Sequence, residues 1–306
     1  VSAFRNPGRT FRHFAEFAWG TLEPEEGIYD FEWLDRAVAL AGKYGLKVIM
    51  CTPSPTPPVW LSKKYPDILI RRDNGVNIQH GRRQHASWSS ERYCDFVKNI
   101  VTKLAERYGK NPTVIGWQID NEPGHYGLVD YSENAQQKFR LWLRRKYKTI
   151  DQLNATWGNT FWSESYQHFD QIRLPNQQEL PEKPNPHAML DMNRFMADEL
   201  AGFVNMQADV LHKNISEKQW ITTNLIPVFN PVDPVRMDHL DFTTYTRYLV
   251  TGHKMGIGKQ GFRLGIPEDI GFPNDQFRNF AGKTFGVMEL QPGQVNWGVY
   301  NPQPMP

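Results

Sequence analysis

The sequence predicts an α/β fold built on one parallel sheet, of the (β/α) barrel type. Three observations carry this. Short apolar runs alternate with amphipathic stretches at helical spacing, and alternating β and α units make a parallel sheet. The runs are nearly continuous in apolar residues, as in residues 46–51 (Leu-Lys-Val-Ile-Met-Cys), which marks strands buried on both faces. Roughly 30 to 100 residues separate successive runs, room for crossover helices and for long loops on one rim.

Residues 1–10 are polar and irregular, and the first strand follows at residues 12–19, ending near Glu16. Asp30 is placed to cap a helix whose Leu34, Ala37, Val38 and Ala41 recur at helical spacing, with Gly45 closing it. The second strand is residues 46–52, broken by Pro53 to Pro58. Residues 60–70 read as a loop with a short helical piece, and residues 71–90 are polar without an apolar period. Ser90 caps the next helix, which carries Val97, Ile100, Val101 and Leu104 and stops at Gly109. The third strand is residues 113–122. A long excursion follows: a helix marked by Phe139, Trp142, Leu143 and Tyr147, a loop holding Trp157 and Trp162, and a Pro-rich stretch at 175–186. A second helix at 189–211 closes it, with Phe195, Leu200, Phe203 and Val204 on its apolar side. Residues 220–226 and 241–246 are strands, residues 256–273 a Gly-rich loop, and residues 284–290 the sixth strand. No repeat, low-complexity tract or linker divides the chain, so residues 1–306 are expected to form one domain. Six strands do not close an eight-stranded barrel.

Composition narrows the function. The net charge of +2 argues neither for nor against a nucleic-acid partner, and the basic run 140–148 reads as one polar face of an amphipathic helix, so no such partner is expected. No apolar run approaches the roughly 20 residues of a membrane span. No leader is visible, but the sequence opens on Val1, so the true N-terminus is expected to be missing and the compartment stays open, with cytoplasmic favoured over secreted. The two cysteines, Cys51 and Cys94, have neither disulfide-framework nor zinc spacing and read as buried thiols. Aromatics reach 13%, with 10 Trp, a supply of flat faces for stacking on sugar rings as well as for packing. Asn154-Ala155-Thr156 matches a glycosylation sequon by pattern alone.

Two strand ends carry the chemistry. The third strand runs into Asn121-Glu122-Pro123, and the sixth into Glu289, with Pro292 and Gly293 just beyond. In a parallel barrel every strand's C-terminal end opens on one face. Two carboxylates there are what a glycosidase needs: one protonates the leaving oxygen, the other attacks or activates water. The competing reading is a pair of capping or surface carboxylates.

At these residues the chain resembles glycoside hydrolase family 42, the β-galactosidases. Asn121-Glu122-Pro123 is similar to the acid/base motif of the (β/α)8 glycosidases, and residues 288–297 (Met-Glu-Leu-Gln-Pro-Gly-Gln-Val-Asn-Trp) resemble the family's nucleophile motif. Residues 16–19, 23–24, 31–35, 142–147, 153–158 and 161–163 follow the family pattern in order, so the resemblance runs from about residue 11 to residue 302. It implies a (β/α)8 TIM barrel of which strands two to seven are present here and strands one and eight are missing. It also implies a retaining β-galactosidase without a cofactor, in which Glu289 forms the covalent galactosyl-enzyme and Glu122 serves as acid and then base. Asn121 would bond the sugar 2-hydroxyl. Arg82, or its neighbour Arg83, would support the nucleophile. Glu16 would contact galactose hydroxyls, and Trp162, Trp297 and Tyr248 would line the sugar site. Full-length relatives would assemble as homotrimers. Some members carry a zinc cluster of cysteines; here Ala86 stands near the first such position and residues 124–135 contain no cysteine, so no such zinc is expected, and His85 and His125 read as hydrogen-bonded loop residues. Where members show Trp-Asp before the tyrosine, this chain has Tyr245-Thr246-Arg247-Tyr248, and Arg247 points to an acidic or sulfated galactoside. Two rival readings use the same residues: another retaining β-glycosidase of the clan acting on algal or other galactans, and a galactoside-binding fragment without catalysis.

Overall fold

The computed structural model describes residues 11–125, 127, 129–226, 232–248, 268–280 and 284–290. Four strands form one parallel sheet in chain order: β1 (Phe11–Phe14), β2 (Lys47–Cys51), β3 (Val114–Gln118) and β4 (Trp220–Thr222). Three more follow in the same sense: β5 (Asn224–Leu225), β6 (Thr243–Arg247) and β7 (Phe285–Leu290). Parallel neighbours that keep chain order are the pattern of a (β/α) barrel wall. Among the described residues the wall stays open, because β1 and β7 do not pair.

The predicted strand at 220–226 divides in two at Thr223. Its hydroxyl donates to the Ile119 carbonyl (2.6 Å), and its own carbonyl accepts from Thr244 Oγ1 (2.8 Å). Side chains thus replace the ladder where the wall bends, and six predicted runs become seven strands. The runs also stop early. β1 ends before Ala15, which takes φ 75°, and β3 ends at Gln118, with Asp120 at φ 56° and Glu122 at φ 47°.

The helices lie outside the wall. Three precede the excursion besides the short α1 (Trp19–Leu22): α2 (Glu32–Lys43), α3 (Val59–Lys64) and α4 (Glu91–Tyr108), the last capped by Ser90 Oγ accepting from Tyr93 N. Val48 and Met50 pack with α2 and α4 in the main apolar cluster, while the equally buried Ile49 and Cys51 fall outside it. Because side chains alternate along a strand, Ile49 and Cys51 face the inner side of the wall. Gly116 is required where it stands: a Cβ there would meet the Trp220 ring at 2.2 Å.

The excursion holds α5 (Glu133–Tyr147), α6 (Ile150–Trp157) and the 29-residue α7 (Pro186–Asn214). It has its own apolar cluster around Phe139, Leu153, Trp157, Met192 and Phe195. Trp157 therefore closes a helix rather than sitting in a loop. One half of α7 belongs to this cluster, and the other half, from Leu200 to Leu211, belongs to the main core. Asp191 anchors the excursion, accepting from Trp157 Nε1 (3.0 Å), Tyr147 and Lys146. Burial alone would raise its carboxyl; those donors hold it below the ordinary value.

The predicted loop through residue 273 is corrected too. Residues Glu268–Phe280 form a helix, α8, with Pro273 inside it. Its Phe277 is fully buried, its ring 4.9 Å from that of Tyr245. That burial outweighs the poor helix propensity of Gly271 and Pro273.

Candidate active site

The C-terminal ends of the strands open into a cleft of about 1050 Å³. Glu16, Arg82, Arg83, Asn121, Glu122, Arg247, Tyr248 and Glu289 all line it. The two carboxylates singled out in the sequence, 167 positions apart (289 less 122), thus share one cavity. Trp162 does not line it. It sits on a turn of the excursion, 67% exposed and stacked on the exposed Phe161, with centroids 4.8 Å apart. Trp297 lies outside the described residues.

Glu122 is buried in a loop whose backbone is pinned from both sides. Its N–H donates to Asn224 Oδ1 (3.0 Å), and Gln84 Nε2 donates to the carbonyls of Asn121 (2.9 Å) and Glu122 (2.7 Å). These bonds hold two positive-φ residues, Asp120 and Glu122, in a conformation disfavoured for residues with a Cβ. The Glu122 carboxylate itself meets Arg83 Nη1 at 2.8 Å. Between the two arginines the geometry favours Arg83 over the preferred Arg82: among the described contacts it is Arg83 that pairs with one of the two candidate carboxylates, that of Glu122. Arg82 borders the cleft, and its carbonyl holds the His85 ring (2.9 Å).

Glu289 receives two neutral donors, Tyr248 OH at 2.5 Å on Oε2 and Asn224 Nδ2 at 2.9 Å on Oε1. Asn224 therefore joins the Glu122 backbone to the Glu289 carboxylate through one amide. Its second amide hydrogen serves Thr246 Oγ1 (3.1 Å). Asn121 lies between Glu16 and Arg83. An arginine only donates, so the Asn121 oxygen faces Arg83 and its nitrogen donates to Glu16 Oε1 (2.9 Å).

Burial raises all three carboxyls of the cleft, and neighbouring negative charge adds to it at Glu16 and Glu289. Burial and the charge of Glu289 push Glu16 up to about 7. Burial raises Glu122 against the opposing pull of Arg83. Burial also raises Glu289, with the charge of Glu122 adding to it, against hydrogen bonds from Tyr248 and Asn224. Below them Asp120, buried and bonded by Ser54 Oγ (2.6 Å), rises to about 6 by desolvation.

Sequence reasoning did not single out Gln84 and Asn224. The one signal for Asn224 was a polar residue inside a run read as a continuous strand. Gln84 carried none, since it lies in a polar stretch without period.

The family model for glycoside hydrolase family 42, described as "Beta-galactosidase", matches residues 1–306. The chain belongs to this family. Among similar proteins, Beta-galactosidase Bga of Halorubrum lacusprofundi is 36% identical over 99% of this chain and 44% of its own length. Beta-galactosidase BgaA of Thermus sp is 38% identical over 99% of this chain and 47% of its own. The crystal structure of a β-galactosidase from the psychrophilic Marinomonas ef1 superposes with a TM-score of 0.91 at 35% identity, over 97% of this chain and 46% of that one. The chain thus spans about half the length of the relatives it matches, and its described part is the corresponding portion of their TIM barrel.

Proposed function

We propose that this chain is the catalytic barrel of a retaining β-galactosidase acting on terminal β-D-galactosyl residues. The observation that carries the reading is that Glu122, in the loop that follows β3, and Glu289, near the C-terminal end of β7, line one cleft. Glu289, ionised and oriented by Tyr248 and Asn224, attacks the anomeric carbon. Its carboxylate oxygen bonds to C1 as the glycosidic C–O bond breaks, and Glu122 gives its proton to the departing oxygen. Water then enters, Glu122 takes its proton, and the ester is released with the original configuration. Burial suits the acid role of Glu122: it raises the pKa and so favours the protonated form that gives the proton. Asn121 and Glu16, joined by a hydrogen bond, are placed to meet sugar hydroxyls. In the full-length protein a homotrimer is expected, which light scattering would read directly.

A chromogenic β-galactoside tests the reading. Turnover should vanish in Glu289→Gln, and in Glu122→Gln it should fall about 10² to 10⁴-fold, least for the best leaving groups. Full turnover in Glu289→Gln would remove the assignment. Binding without turnover in the parent would favour a galactoside-binding role, and turnover confined to other glycosides would favour a different β-glycosidase of the clan.

A further inference from the structure

The inner face of the first two strands carries a donor set that galactoside hydrolysis leaves half used. His13, Glu16 and Cys51 present an imidazole nitrogen, a carboxylate oxygen and a thiol sulfur, all within 4.8 Å of one another. Strand register explains the meeting. His13 pairs with Ile49 on β2, so His13 and Cys51 project from the same face, two residues apart along the wall. Cys51 is fully buried, while His13 and Glu16 border the cleft. A buried amide adjoins the set. Gln118, the register partner of Cys51 on β3, is fully buried and donates its amide nitrogen to Glu16 Oε1 (2.6 Å). Its own Oε1 is a buried acceptor without a hydrogen-bond partner.

We propose that His13, Cys51 and Glu16 bind a thiophilic divalent cation, Zn²⁺ first among them, at the floor of the cleft, and that the bound ion blocks galactoside hydrolysis. One nitrogen, one sulfur and one oxygen form the borderline-soft set that Zn²⁺ takes, with a fourth position open to the cleft. Magnesium and calcium, which take oxygen ligands, are excluded by the same set. In a tetrahedral zinc site, bond lengths of about 2.0–2.3 Å put ligand atoms about 3.5 Å apart. The three donors need to draw in by about 1 Å, within the reach of the His13 and Glu16 side chains, while the strands stay fixed. On binding, the Cys51 thiol loses its proton to solvent and the Zn–S bond forms. Thiolate and carboxylate then cancel the ion's two charges, so a partly buried site gains no net charge. The ion holds Glu16 away from a sugar hydroxyl. That blocking step rests on the reading of Glu16 as a sugar contact; the binding step does not.

Co²⁺ titration of metal-stripped protein tests the two halves separately. The parent should develop a thiolate-to-cobalt charge-transfer absorption that saturates at one ion per chain and bleaches on adding Zn²⁺. Cys94→Ser should keep the band, because Cys94 lies on α4, away from this set. Cys51→Ser and Cys51→Ala should lose it, the second without burying a new hydroxyl. His13→Gln should weaken apparent affinity at least tenfold. Zn²⁺ should inhibit hydrolysis competitively with galactoside, reversibly by chelator, and Cys51→Ala should resist it at least tenfold. A parent without the band, or a band lost in Cys94→Ser and kept in Cys51→Ala, overturns the site. A normal band without inhibition sustains the site and removes Glu16 from the sugar contacts. A normal band in a parent that turns over no galactoside sustains the site and counts against the proposed activity alone.

Discussion

Replacing Asn224 by alanine strikes a side chain that bonds to both members of the proposed catalytic pair. The amide accepts from the Glu122 backbone N–H (3.0 Å) and donates to the Glu289 carboxylate (2.9 Å). A hydrogen bond to a charged group contributes about 1.5–3 kcal/mol. At about 1.36 kcal/mol per decade, its loss lowers kcat/KM about 10- to 160-fold. The orphaned, buried Glu122 N–H costs a further ~1–3 kcal/mol of folding stability. There is also a signature in pH. The Asn224 donor holds Glu289 down, so without it Glu289 titrates higher. The nucleophile must be ionised to attack, so the acid limb of the rate profile moves to higher pH. Steady-state rates on an aryl β-galactoside across pH, with urea unfolding as a control, measure all three. A folded Asn224→Ala protein with kcat/KM within twofold of the parent and an unmoved acid limb would refute the bridging role.

The other expectations follow from single contacts. Arg83 lowers both Glu122 and Glu289, so Arg83→Gln raises both. The acid limb, set by ionised Glu289, and the alkaline limb, set by protonated Glu122, should then both move up; an unmoved or lowered optimum contradicts the ion pair. Gly116→Ala drives a Cβ to 2.2 Å from the Trp220 ring and should destabilise by about 1–3 kcal/mol, read as a lower urea midpoint with the slope unchanged. Arg247 lines the cleft, and Arg247→Ala should reduce the rate on sulfated galactosides more than on neutral ones; equal effects on both would exclude it from substrate choice.

The part of this site legible in the sequence was the part written by strand periodicity. Glu122 and Glu289 stand where apolar runs end, and the parallel wall brings such ends to one rim whatever their separation along the chain. Arg82 and Arg83 were not separable by pattern, since a polar loop has no period and adjacent residues point apart. Gln84, at φ 60° in that loop, settles which arginine enters by pinning the backbone to the Glu122 turn. Asn224 was hidden for another reason. It sits in a run whose continuity looked like one strand, and the break at Thr223 arises from side-chain bonds to neighbouring strands. Trp162 shows the limit of reading single residues: its motif matches, yet in this chain its ring lies on the surface of the excursion. The helix at 268–280 was masked by Gly271 and Pro273, whose local preferences yield to the burial of Phe277.

The proposed division of labour between two chemically identical side chains comes from their partners. Burial raises both carboxyls, so burial cannot distinguish acid from nucleophile. The donors can. Glu289 is held by Tyr248 and Asn224, neutral groups that stabilise its ionised form and are themselves fixed by strand ends. Glu122 has the Arg83 guanidinium, whose side chain is 23% exposed and reaches in from a loop. Arg83 also acts on Glu289 through its charge. If a sugar draws Arg83 off Glu122, the acid loses the cation that favoured its ionised form while the nucleophile keeps both of its hydrogen bonds. The balance then shifts toward protonated Glu122. Neutral donors on one carboxylate and a loop-borne cation on the other favour the proposed roles, and the fold supplies the asymmetry by placing one partner set at strand ends and the other on a loop.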